Sequence, residues 1–289
     1  MAVILQHRDR TPARAIPAFL NWAGSKRRVS KFLLQETMPI FQTYHEPFLG
    51  SGANFLALAT VNKISHAHLA DKNEHIVSTF LGVKKEPEAV IRALNLHVLL
   101  DSDVHFASAT RRLNRNGYTS DALAEHAADM IYALAQSFHS SWYETREGKI
   151  SLSRRPSEKS FKPKLNGVCS ASALLRKAEI TRADFKESML RVMPDDLVFI
   201  DPPYLSQTDS SDSRAYTAER FSRDDLKTLL TAMDRVISAG GHVVFCWSSR
   251  LEASLFKSGE WTSVGRDYVW TSFGKSCLNL HTTQYGSSK

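Results

Sequence analysis

Cysteine is scarce: the 289 residues contain three, Cys169, Cys246 and Cys277, far apart and odd in number. No CxxC pair occurs, which argues against a zinc ribbon or a disulfide framework and fits a reducing, cytosolic setting. Long apolar runs are also missing. None approaches the ~20 residues a membrane helix needs, so no membrane span is expected. The opening MAVILQHRDR runs from apolar to basic, the reverse of a secretory signal, and no leader is expected. Internal repeats and long low-complexity tracts are absent. Eleven histidines are scattered. His66, His68 and His75 lie close in sequence, but no second ligand group follows at metal spacing, so no metal is expected.

What is present is ordinary globular composition, 43% hydrophobic and 23% charged, in a chain long enough for one large domain or two modest ones. Acids are thin in two places. Residues 1–35 hold seven Lys and Arg against one acid, and residues 140–177 hold nine against three. Each nets +6 in a chain that nets +7, so the remainder is mildly acidic. Two basic segments on an acidic body suggest a polyanion partner.

Periodicity gives the organisation. A helix is expected over 27–36 and a strand over Thr43–Phe48, entering the turn Gly50-Ser51-Gly52. A helix over Ala53–Thr60, a strand over Ala67–Ala70 and a helix over Asn73–Leu81 follow, a β-turn-α-β-α unit. From about Glu86 to Ala178 the character changes to helices over 87–100 and 121–138, then a polar, basic stretch in which Glu147-Gly148 suggests a hairpin. A buried strand over Leu197–Ile200 ends in Asp201-Pro202-Pro203-Tyr204. The loop Leu205–Arg214, with Tyr216, is expected to be mobile and to close over the site. Ser222 with Asp225 opens a helix. His242–Trp247, Trp261–Trp270 and Cys277–Gln284 read as closing strands. The sum is an α/β sheet interrupted by a mostly helical, basic insert.

Three constellations carry chemistry. EPFLGSG places small residues at a strand-to-helix turn, where free N–H groups can approach a ligand. Asp71 ends the next strand 19 residues after Gly52, where a carboxylate can accept ribose hydroxyls. The pattern is not G-x-G-x-x-G, because Phe55 takes the third position. In the second constellation, two prolines stiffen the strand end and remove two N–H donors. The Asp201 carboxylate and Pro202 carbonyl remain as acceptors beside an aromatic ring, a set suited to an NH₂ group on a flat base. The third is Asn21-Trp22-Ala23-Gly24-Ser25-Lys26, where Trp22 could cover an adenine or a sulfonium and Lys26 could meet a carboxylate.

WAGSK, EPFLGSGANF, a long insert and then DPPY together resemble the Dam-type, α-group adenine-specific DNA methyltransferases. The resemblance covers most of the chain and includes the order of motifs. It implies a Rossmann-like sheet that uses S-adenosylmethionine, with residues 1–85 and 178–289 as catalytic domain and 86–177 as target-recognition insert. It places Trp22, Lys26, Asp71 and Asp201 on cofactor positions, and Glu46, Phe48, Gly50 and Gly52 along the methionine side. Asp184 and Phe185 would hold the cofactor's adenine. Asp201, Pro202, Pro203 and Tyr204 match the catalytic motif, and FHSSWYETREGKISLSRRP is similar in outline to the family's recognition hairpin.

The implied reaction methylates the exocyclic amine of a flipped adenine in double-stranded DNA. The implied protein is a monomer at the nucleoid of a bacterial or phage-type host cell. Asn21, Arg146, Arg154, Arg155, Lys159 and Lys162 are the candidate DNA contacts. Cytosine-N4 methylation is the nearest alternative, since the same acceptors can hold either amine; an inactive DNA-binding relative is the other. Two departures bear on the target sequence. Asn21 stands where the family usually carries Lys. Ser140, Ser141 and Ser151–Ser153 replace the family's usual hairpin residues, which leaves the target open.

Overall fold

The computed structural model describes residues 16–36, 38–115, 122–140, 142–145, 149–156, 160–204, 221–248 and 259–273. In chain order the elements are α1 (Arg27–Gln35), β1 (Thr43–Glu46), α2 (Ala53–Thr60), β2 (His66–Asp71) and α3 (Glu74–Lys85). The insert contributes α4 (Pro87–Leu100), α5 (Asp103–Leu113), α6 (Leu123–Gln136) and α7 (Leu165–Leu175). Then come β3 (Ala178–Arg182), α8 (Phe185–Leu190), β4 (Leu197–Ile200), α9 (Arg223–Ser238), β5 (His242–Trp247), β6 (Glu260–Val264) and β7 (Asp267–Thr271).

Seven strands form one sheet in the order β3-β2-β1-β4-β5-β7-β6. The first five run parallel, and β7 and β6 close the edge antiparallel. This is the expected doubly wound, Rossmann-like α/β fold. The four residues of β4, LVFI, are all buried, as a strand covered on both faces requires. Strand order reverses between β1 and β4. The crevice beyond their carboxyl ends is where such a sheet binds ligands, and there β1 delivers Glu46 and β4 delivers Asp201. Asp196 secures this junction: it accepts the Thr43 amide at 3.0 Å and contacts His45 Nε2 at 2.9 Å.

The insert is built on α6, whose sequence LAEHAADMIYALAQ is buried at nearly every position. A helix apolar on all sides must be surrounded, and α3, α4 and α5 surround it. Gly82 permits the closest approach, since a Cβ there would lie 2.5 Å from the Leu123 carbonyl oxygen. Three helices, α5, α7 and the short α8, and one strand were not anticipated. α5 buries only Phe106, Ala109 and Leu113, so most of its surface is polar. α7 hides its stripe of Val168, Ala171, Ser172 and Leu175 in the basic segment, and β3 is short. The single strand expected over Trp261–Trp270 is instead the hairpin β6–β7, turning at Gly265 and Arg266. The loop expected over Leu205–Arg214, with Tyr216, and the strand over Cys277–Gln284 lie outside the described residues. Among the described residues, no helix is long and apolar enough to cross a membrane.

One carboxylate ties the insert together. Asp101, just past α4, accepts the Tyr132 hydroxyl at 2.8 Å, the Gln136 amide at 2.7 Å, the Phe161 N–H at 2.8 Å and the Arg154 guanidinium at 2.6 Å. These partners hold its carboxyl below the ordinary carboxylate range against the opposing effect of burial. Asp101→Ala should therefore lower unfolding free energy by at least about 2 kcal/mol, since hydrogen bonds to a charged group are worth ~1.5–3 kcal/mol each. Urea unfolding measures it, and an unchanged midpoint would show that the network is dispensable.

Candidate active site

The crevice holds a cavity of about 270 Å³ lined by all three constellations, including Trp22, Lys26, Glu46, Asp71 and Asp201. Its floor is the turn after β1. Gly52 has φ +61°, and a Cβ there would meet the Phe80 ring at 2.8 Å, so both backbone and space demand glycine. Glu46 is buried under α2 and accepts the Phe55 amide at 3.2 Å and the Tyr44 hydroxyl at 2.9 Å. Asp71 accepts the amides of Gly50 and Asn73, each at 2.9 Å, which joins the turn after β1 to the turn after β2. All four of these donors are neutral. Burial, only partly offset by them, pushes Glu46 up to about 8 and Asp71 up to about 6.

The far end is aromatic. Phe48 stacks on Phe185 with centroids 5.4 Å apart, and Phe221 stands edge-on to Phe48 at 6.1 Å. The ring of Phe48 thus lies at the Asp184–Phe185 end of the cavity. Asp184 caps α8 by accepting the Lys186 amide, and its carboxylate lies 3.8 Å from Lys72.

The opposite end is the Asp201-Pro202-Pro203-Tyr204 turn after β4. Pro202 is buried and Pro203 exposed. Lys26 Nζ lies 3.1 Å from Asp201 Oδ1 in an ion pair, and 3.5 Å from Asp267. The same ammonium sits 4.8 Å over the Tyr204 ring, while the Tyr204 hydroxyl donates to Asp267 at 3.2 Å. Burial pulls the Lys26 pKa down, but its surroundings, Asp201 foremost, then Tyr204 and Asp267, outweigh it and keep the lysine charged. Burial pushes Asp201 up to about 6, against the pull of Lys26.

The candidate DNA contacts are placed more diversely. Lys164 donates to Asn21 at 3.3 Å, so the two basic segments meet on one face. Antiparallel bridges Glu144–Ile150 and Ser137–Arg154 form the hairpin. Arg154 is bound at 2.6 Å to each of Asp101 and Asp103, whereas Arg155 and Lys162 are exposed. Arg146 and Lys159 lie outside the described residues. Trp142 and Phe161 of the same segment are buried in the core.

Three site residues escaped the sequence reading. Asp267 gives no signal beyond the Gly265-Arg266 turn before it. Phe221 stands just before the Ser222 cap of α9 and belongs to no motif. Glu144 belongs to the insert yet reaches the cavity wall, accepting from Trp142 Nε1 at 2.8 Å and from Asn73 at 3.2 Å.

The Glu46 shift has a testable sign. The folded protein keeps this proton to about 8, while an unfolded chain sheds it near 4.5, so Glu46 makes stability fall as pH rises between those values. In the ligand-free protein, Glu46→Gln should flatten the loss of melting temperature between about pH 6.5 and pH 8.5. Equal slopes for mutant and wild type would mean that the carboxylate is already ionised.

Sequence comparison agrees with this geometry. A type II methyltransferase from Lactococcus lactis subsp. cremoris, M1.LlaDCHI, is 26% identical over 244 residues, covering 83% of this chain and 84% of that protein. A DNA adenine methylase from Vibrio cholerae is 24% identical over 228 residues, covering 76% of this chain and 79% of its own. A solved rRNA methyltransferase from Streptomyces viridochromogenes, aviRa, aligns over 85% of this chain and 81% of its own at a TM-score of 0.35 and 12% identity. The family model for the D12 class of N6 adenine-specific DNA methyltransferases matches residues 22–263, from Trp22 into β6. The chain therefore belongs to the D12 class of N6 adenine-specific DNA methyltransferases.

Proposed function

We propose that the cavity binds S-adenosylmethionine and that Asp201, Pro202, Pro203 and Tyr204 receive an adenine flipped from duplex DNA. The carrying observation is the pairing of two acceptors at the end of β4 with a cavity whose buried carboxylates, Glu46 and Asp71, are held by neutral donors. Such carboxylates favour a ligand that brings positive charge. The ring cluster of Phe48, Phe185 and Phe221 suits a flat base at the other end. When bound, S-adenosylmethionine supplies an electrophilic methyl group on a sulfonium.

The adenine amine is a poor nucleophile because its lone pair is spread into the ring. Accepting its two N–H bonds at the Asp201 carboxylate and the Pro202 carbonyl favours the pyramidal form and aims the lone pair. In such a transfer the new N–C bond on the amine would replace the methyl–sulfur bond, a neutral thioether would leave, and the amine's surplus proton would pass to water. Tyr204 supplies the stacking face. Positioning and electrostatics account for the rate. The base must leave the helix stack to reach this depth. The insert, with Asn21, Arg155, Lys162 and the neighbouring basic residues, would contact the duplex, and the protein would act as a monomer.

Asp201→Ala should lower single-turnover methyl transfer to a duplex oligonucleotide by about 100- to 1000-fold or more, the scale of one preorganised transition-state contact. Its melting temperature should stay near that of wild type. Labelled methyl recovered as N6-methyladenine supports the reading; near wild-type turnover removes Asp201 from the mechanism, and N4-methylcytosine overturns the base assignment.

The two hairpin arginines should differ. Arg155→Ala should cost ~1–3 kcal/mol of binding and relax preference at one position, the pattern of a lost base contact. Lys162→Ala should weaken all sequences alike and flatten the salt slope. Arg154→Ala should act mainly on stability, because its guanidinium is spent on Asp101 and Asp103. Mapping methylated adenines genome-wide reads the preference directly. An unchanged motif in Arg155→Ala would move recognition elsewhere.

A further inference from the structure

Asp267 belongs to neither the cofactor motif nor the catalytic motif, yet its carboxylate closes a ring with both. Oδ1 lies 3.5 Å from Lys26 Nζ and accepts the Tyr204 hydroxyl at 3.2 Å; Lys26 completes the ring 3.1 Å from Asp201. Its side chain is only 13% exposed. Its position is set by backbone. β7 pairs with β5 through Cys246–Val269 and Trp247–Tyr268, and Asp267 pairs with Val264 at the mouth of the hairpin. The hairpin tip reaches α1, where Gly265 sits against the Arg28 side chain. The same hairpin thus touches the sheet, the lysine's own helix and the tyrosine.

We propose that Asp267 is a positioning residue for methyl transfer, sharing the Lys26 charge so that Asp201 stays a strong acceptor for the target amine and fixing the ring of Tyr204. An ammonium committed to one carboxylate would draw electron density from the oxygen that must accept a weaker N–H donor. Divided between two carboxylates, it leaves the site with a net negative charge. As the N–C bond forms, positive charge grows on the amine nitrogen, and a net negative surrounding is worth more then than before. The hydrogen bond to the Tyr204 hydroxyl restricts rotation of the ring that would face the base. This inference rests on the adenine-transfer reading above.

Asp201 is faced by Lys26 from the segment before α1, by Asp267 from β7, by Tyr204 of its own segment, by Glu46 at the end of β1 and by Cys246 on β5. Of these, Asp267 is one that raises the Asp201 pKa by like charge. Losing that charge should move the acid limb of the rate profile to lower pH.

The test measures single-turnover transfer to duplex DNA, cofactor affinity by calorimetry with S-adenosylhomocysteine, and the pH profile, for wild type, Asp267→Asn and Asp267→Glu. Asp267→Asn should slow transfer by about 10- to 100-fold, the range of one charge-assisted hydrogen bond realised in the transition state. Cofactor affinity should hold, the acid limb should fall, and Asp267→Glu should recover most of the rate. In a Tyr204→Phe background, Asp267→Asn should cost less than in wild type, because the two side chains act together. A wild-type rate in Asp267→Asn overturns the proposal. So does a parallel loss of rate, cofactor affinity and melting temperature, or a failure of Asp267→Glu to recover anything. Wild-type protein that transfers no methyl to adenine overturns the underlying reading and this inference with it.

Discussion

The Lys26 ammonium is the point through which the site is assembled. It comes from the segment before α1, and its two carboxylate neighbours come from the end of β4 and the start of β7. These three pieces are distant in sequence and adjacent only because the sheet order brings them together. Burying a lysine beside one carboxylate is costly unless the geometry returns the desolvation energy. Here the burial is shared among two anions and the face of Tyr204, so the charge is retained inside the protein. Much of the local architecture can be understood as holding that arrangement. Gly24 accepts from the same ammonium at 3.2 Å, and Ser30 ties the start of α1 to Asn54 of α2 at 2.8 Å.

A second constraint joins the insert to the crevice. The base of the hairpin is not a separate module resting on the sheet. Trp142 packs 5.8 Å from Trp22 and 5.1 Å from His75, and Glu144 reaches Asn73, which caps α3 beside Asp71. One continuous core runs from the sheet through α3 and α6 to Phe161 and α7. The segment that would face DNA and the wall of the cavity are therefore mechanically continuous. Any shift of the hairpin base is felt at the turn that Asp71 holds. By linkage, whatever one ligand does to that shared wall, the other does in return.

The sequence made the catalytic half legible because its chemistry is local. EPFLGSG and DPPY each put their groups at a strand end, and alternation plus turn residues suffice to place a strand end. The core helix α6 was legible for the same reason, its apolar positions being dense. Asp267 was not, because its role depends on a strand pairing between β5 and β7 that no periodicity encodes. The β6–β7 hairpin was read through as one strand, since EWTSV and DYVWT both have strand composition and the turn between them is only Gly-Arg. α5 and α7 escaped because each buries just three or four side chains. Arg154 illustrates a different limit. Its charge was legible, but its partners, Asp101 and Asp103, lie 53 and 51 residues away.

That last point decides how charge in the basic segment should be interpreted. A net charge of +6 counts side chains and says nothing of where they are spent. Arg154 stabilises the insert, and Lys164 is turned toward Asn21. Trp142 and Phe161, aromatic residues of the same stretch, fill the core. Among the described residues, Arg155, Lys162, Lys149, Arg27 and Arg28 are exposed and open to a polyanion. The Lys164–Asn21 contact holds the N-terminal segment against the start of α7, so the two basic stretches are neighbours there. The fold thus brings two basic stretches that are distant in sequence into contact. A phosphate backbone drawn to that face would meet both stretches at once, which neither would offer alone.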